Sequence, residues 1–207
     1  MTNILRISSR IIIFLAIVIF NSCVVYKPFS RQDITLISNL KIVRFETPDI
    51  AQFTLGGQLA SFAIGGALGS YAAMHNGPIT SNDYGEIIMY RFTDRAQKEI
   101  PNWPKITIES KPVKNSFRFN SGTLLLFNVK VMMVHSRGGF LSDVRVKMIQ
   151  PDGKILWQKK YFYSGRDHGR FHKVKEFNND SKLLHEEIDF AANATVSEFI
   201  DDLRNAK

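Results

Sequence analysis

Apolar and polar positions along the chain change period several times, and each change marks an element. In residues 39–49, Leu40, Ile42, Val43 and Phe45 are apolar with Lys41 and Arg44 between them, which predicts a first strand closed by Pro48. Residues 84–99 place Ile87, Ile88, Tyr90, Phe92 and Ala96 on one broad face, and Pro101 and Pro104 follow, so a helix is expected to end there. Residues 105–110 alternate as a short strand, and residues 122–136 (GTLLLFNVKVMMVHS) carry the strongest strand signal in the chain. Arg137, Gly138 and Gly139 make a turn. Residues 141–150 alternate Val144, Val146 and Met148 against Arg145 and Lys147. Pro151-Asp152-Gly153-Lys154 is a second turn, since proline presets φ and glycine accepts positive φ. Residues 155–163 then return as another strand, giving an antiparallel meander. Residues 164–180 read as a basic polar loop. A last helix is expected over 181–206, with Leu184, Ile188, Ala192, Val196, Phe199 and Leu203 in one stripe and Asp180 or Ser181 as its cap. Glu186, Glu187, Asp201 and Asp202 fall off that stripe and are expected to be solvated. The predicted class is α+β: an antiparallel or mixed sheet with helices packed on one face, plus an apolar glycine-rich helix.

That extra helix comes from residues 50–74, which carry no charge. Every fourth residue is small: Gly57, Ser61, Gly65, Gly69 and Ala73, a glycine zipper on which another helix can pack backbone to backbone. Glycine lowers helix propensity by roughly 1 kcal/mol per residue relative to alanine, so such a helix needs close packing or a bilayer. Three readings stand: packing within its own domain, association with a membrane, or packing against its copy in a homo-oligomer. Residues 75–85 are dense in turn formers and read as a loop.

The N-terminus sets the address. Arg6 and Arg10 precede an unbroken apolar run over residues 11–20, followed by Asn21, Ser22 and Cys23. A basic start, a short apolar core and small residues make a bacterial secretion signal. Phe20-Asn21-Ser22-Cys23 resembles a lipobox, with the single cysteine of the chain where acylation would occur; the competing readings are an uncleaved N-terminal anchor, for which residues 11–25 are long enough, and ordinary secretion with an idle cysteine. The expected organisation is therefore a lipoprotein signal peptide over 1–22, a tether over 23–38, and one periplasmic α+β domain over 39–207, with 50–74 as a zipper insertion. Val24, in place of the aspartate that retains enteric lipoproteins in the inner membrane, favours the outer membrane.

Net charge is +8, and it stays basic once the two signal arginines are removed. Lys160, Arg166, Arg170, Lys173 and Lys175 form the candidate binding patch, suited to an anionic lipid or acidic glycan. A secreted chain makes nucleic acid a poor partner. His168 and His172 stand four apart beside Asp167, but Gly169 argues against the helix that would aim both at one metal, and no HExxH is present. There is no GxSxG elbow and no phosphate-binding glycine loop followed by Lys-Ser/Thr. The expectation is a protein without catalytic residues, metal or cofactor.

Val144-Arg145-Val146-Lys147-Met148, then Asp152-Gly153-Lys154-Ile155-Leu156-Trp157, then the helix from Leu184 to Leu203 carry a resemblance. Through them residues 122–203 resemble a family of envelope lipoproteins that includes the ABC-transport auxiliary lipoproteins and domains like the TolB N-terminal domain, seen also in CsgG and LpoB. The zipper insertion departs from that pattern. The resemblance implies a lipid-tethered accessory protein working with a larger envelope assembly, and it transfers no catalytic residue. Two functions follow as expectations: an accessory or structural lipoprotein binding a partner protein, lipid or cell-wall component, or a membrane-associated oligomer of the secretion-pore type.

Overall fold

The long alternating run at 122–136 becomes the strand around which the sheet is built. A computed structural model of the chain describes residues 26–45, 47, 50–53, 84–109, 111–113, 122–136 and 138–206. Their elements are α1 (Arg31–Thr35), β1 (Asn39–Arg44), β2 (Ala51–Phe53), α2 (Tyr84–Glu99), β3 (Lys105–Ile108), β4 (Thr123–His135), β5 (Gly139–Ile149), β6 (Ile155–Ser164), α3 (Val174–Asn179) and α4 (Ser181–Arg204), with a short 3-10 turn at Arg166–His168. Cys23 and the zipper residues Gly57, Ser61, Gly65, Gly69 and Ala73 lie outside the described residues.

The sheet is mixed, in the order β3-β1-β4-β5-β6. β1 runs parallel to both β3 and β4, and β2 continues beside the far end of β4, with Phe53 opposite His135. β4, β5 and β6 form the expected antiparallel meander. Gly153 takes φ +86° in the turn between β5 and β6, the positive value its position was expected to need.

α2 and α4 lie together on one face. Their apolar stripes, including Ile88, Phe92, Ala96, Leu184, Ile188, Ala192, Val196, Phe199 and Leu203, are buried with Leu125, Phe127, Val129, Val144, Val146 and Met148 from the same face of the sheet. Phe199 sits at the centre, with ring centroids 5.7 Å from Phe127, 6.2 Å from Trp157 and 4.1 Å from Tyr161. The Asp180 side chain accepts from the Leu183 amide and caps α4, as expected of a residue in that position.

Four expectations are corrected. Residues 26–38 are not a free tether: Lys27 pairs with Gln158 of β6 through two backbone hydrogen bonds, α1 forms after a Ser30 cap, and Phe29 and Ile37 are buried. The physical reason is aromatic. Phe29 lies 6.2 Å from Trp103 and 6.3 Å from Trp157, so polar flanks in the sequence hid one strong apolar anchor. Residues 51–53 begin the uncharged stretch as a strand, because the last third of β4 offers them a free edge. Residues 164–180 hold the 3-10 turn and α3, which buries Val174 and Phe177. Glu187 is completely buried instead of solvated.

Candidate binding surface

The connection from β6 to α4 is built on a close approach of backbones. The Gly165 amide donates to the Phe140 carbonyl at 2.8 Å, and the Arg170 amide donates to the Gly165 carbonyl at 2.7 Å. A Cβ on Gly165 would stand 2.8 Å from the Arg170 carbonyl oxygen, so only glycine fits. This folds the loop back and brings Arg170 over α4. Its Nε donates to Glu187 Oε2 at 2.7 Å, while the Tyr163 hydroxyl donates to Oε1 at 2.6 Å. Burial raises the Tyr163 phenol pKa and the Glu187 carboxylate raises it further; the same carboxylate holds Arg170 still more firmly protonated. The Arg170 guanidinium also lies over Phe190, 4.5 Å from its centroid, and His168 stacks on Tyr163 at 4.6 Å. This cluster locks the loop to the helix.

The five residues of the expected basic patch are thereby dispersed. Arg170 is committed to Glu187 on the helix side. Lys160 points from the opposite face of β6 and pairs with Asp143 at 3.0 Å. Arg166, Lys173 and Lys175 are exposed on the connection itself. His172 lies 3.7 Å from Glu176 and edge-on to Phe177, and among the described residues no group of three or more His, Cys, Asp or Glu is placed to hold a metal.

Elsewhere, the Tyr84 hydroxyl meets Ser142 at 3.1 Å and Thr195 at 3.3 Å inside the core, and burial pushes its pKa up to about 12. Near the end of α4, Asp202 accepts from Lys159 and Tyr161. Two open grooves of about 390 Å³ each flank the N-terminal segment, one lined by Arg31, Ile34, Glu99 and Leu203 and the other by Tyr26, Phe29, Trp157 and Asp202. Neither lining contains a histidine or a cysteine.

A surface that no single stretch of the sequence assembles emerges from the register. The six strands carry eight basic residues and one acid, Asp143, whereas α4 carries two basic and six acidic residues. Two of the eight, Arg44 and Lys159, engage Glu86 and Asp202, which belong to α2 and α4. Alternation and pairing put Lys41, Lys105, Arg145, Lys147 and Lys160 on the face away from α2 and α4, with Arg145 directly opposite Lys160 and Phe162 opposite Asp143. Asp143 sits between Arg145 and Lys160 and positions both. Phe162 is 55% exposed beside them. The alternation of Arg145 and Lys147 with Val144, Val146 and Met148 was the visible signal; only pairing showed which basic residues on other strands share their face.

Among the described residues no helix is long and apolar enough to cross a membrane. No family model matches the chain, and no curated protein matches it in sequence. Among solved structures, the chain is similar to a Xanthomonas campestris protein of the DUF330 family, with 8% identity over 86% of each chain and a TM-score of 0.44. It is also similar to PelC from Paraburkholderia phytofirmans, solved as a dodecamer, with 12% identity over 87% of this chain and 95% of that chain and a TM-score of 0.36.

Proposed function

We propose that the chain is a lipid-anchored accessory domain of the bacterial cell envelope, acylated on Cys23 and held close against its membrane. The observation that carries this reading is how near Cys23 in the sequence the first described contact with the sheet lies. Tyr26 is only three residues beyond Cys23, and Lys27 is already paired to β6. The four residues from Cys23 to Lys27 span at most about 13–14 Å, so an acylated Cys23 leaves the β6 edge no long tether on which to swing. Two or three acyl chains make such an anchor stable where one alone holds marginally. The role is structural: presenting a fixed domain to a partner protein, lipid or cell-wall polymer.

The test is metabolic labelling with a fatty-acid analogue, followed by fractionation, for the native chain and Cys23→Ala. Label in the native chain only, with the native chain in the membrane fraction, supports the reading. An unlabelled native chain refutes it. The four-residue spacing of small side chains from Gly57 to Ala73 favours a second reading, a membrane-associated homo-oligomer. Sizing the detergent-extracted protein by light scattering, with and without Gly65→Leu, separates the two. A zipper-dependent oligomer establishes the second reading, and an unchanged monomer rejects it.

A further inference from the structure

We propose that the face of the sheet away from α2 and α4, around Arg145, Lys147, Lys160 and Phe162, is the surface that lies on the membrane and that it takes anionic lipid headgroups. The inference rests on the Cys23 anchoring reading and adds an orientation and a lipid chemistry to it.

Charge is the first argument. The strands carry eight basic residues against one acid, and the register collects Lys41, Lys105, Arg145, Lys147 and Lys160 on the face opposite the helices, where they outnumber the two acids paired with them, Glu109 with Lys41 and Asp143 with Arg145 and Lys160. α4, on the other side, holds six acids and two basic residues. A domain polarised in this way turns its sheet toward an anionic surface and its helices away from it. Reach is the second argument. Lys27 pairs antiparallel with Gln158, so the chain comes to the β6 edge from the Ser164 side. Cys23, four residues before Lys27, is therefore restricted to within about 13–14 Å of that edge. Lys160 and Phe162 lie on the Ser164 side of Gln158. Chemistry is the third. Phe162 supplies an exposed aromatic ring beside the cations, and the Lys160 side chain, 44% exposed, keeps its ammonium near Asp143 at the surface.

The experiment uses the acylated full-length protein in vesicles of phosphatidylglycerol and phosphatidylcholine. A fluorophore is placed by Phe162→Cys or, as the control on the helix side, by Tyr90→Cys; both side chains are exposed, so the fold tolerates either. In anionic vesicles the label at 162 is expected to lose most of its quenching by aqueous iodide, while the label at 90 keeps it. Raising the salt, or using phosphatidylcholine alone, restores quenching at 162. Lys147→Gln lowers the docked-to-undocked ratio by about fivefold, the worth of one lysine near an anionic surface. Equal quenching at both positions in a protein that is acylated and vesicle-bound overturns the inference and leaves the anchoring reading intact. Equal protection at 162 in neutral lipid overturns the charge argument. Protection at 162 in whole cells but in neither kind of vesicle means that a protein partner covers the face, and the lipid proposal falls. A chain without acyl label refutes the anchoring reading and removes the basis of this one.

Discussion

Arg170→Ala should be among the most costly substitutions of a partly exposed residue in the protein. Glu187 has no exposed side-chain surface, and among the described residues two groups hold its carboxylate: Arg170 Nε at 2.7 Å and the Tyr163 hydroxyl at 2.6 Å. Removing the cation leaves a buried negative charge on one neutral donor. Breaking a buried pair from one side costs about 3–5 kcal/mol. Here the Arg170 side chain is itself about a third exposed, so water can enter the space it vacates and the cost should fall to roughly 2–4 kcal/mol. Urea unfolding followed by the fluorescence of Trp103 and Trp157 measures this at pH 7. The pair Arg170→Met with Glu187→Leu should recover much of the stability, because both desolvation costs vanish together. A deficit below about 1 kcal/mol would refute the argument.

Other perturbations follow the same logic. Gly165→Ala puts a Cβ 2.8 Å from the Arg170 carbonyl oxygen and 2.9 Å from Glu187 Oε1, so urea midpoints should drop by an amount equivalent to about 1–3 kcal/mol; a neutral result would mean that the loop is free to move aside. Phe199→Ala removes the ring at the centre of the aromatic core and should cost about 3–5 kcal/mol in the same assay. Tyr84, with its pKa pushed up to about 12 by burial, keeps its proton in the folded state after the unfolded chain has lost its own. That contribution is present below about pH 10 and disappears as pH rises toward 12, worth roughly 2–3 kcal/mol, and Tyr84→Phe should flatten the decline. The hydrogen bond from Arg95 holds the Glu99 carboxyl below the usual range, so its contribution is present above the ordinary carboxylate pKa and is lost as pH falls through the lowered value. A denaturation series against Glu99→Gln should show the two proteins converging in acid.

Local order was legible in the sequence wherever one period dominated. The helix expected over 84–99 is Tyr84–Glu99, and the stripe from Leu184 to Leu203 is the buried stripe of α4. The meander and its Gly153 turn followed from alternation and turn chemistry, both of which act between close neighbours in the chain. What spans long sequence separations was not legible. The parallel pairing of β1 with both β3 and β4 depends on residues far apart in sequence, and no local period encodes a partner. Phe29 looked like part of a polar tether until Trp103 and Trp157 were brought around it. Glu187 looked solvated because helical spacing locates a residue relative to its own stripe; it says nothing of Tyr163 or of a loop folded back by Gly165.

The candidate surface divides in the same way. The sequence by itself determined the basic then apolar N-terminus, the lone cysteine after it, the basic balance and the alternation of Arg145 and Lys147. Tertiary structure decided that Arg170 serves the interior, that Lys160 stands opposite Arg145, and that the basic residues of separate strands share one face. The physical reason is that charge and hydropathy are carried residue by residue, whereas a surface is made by hydrogen-bonded register. A one-residue slip in any strand would send its lysines to the other side of the sheet.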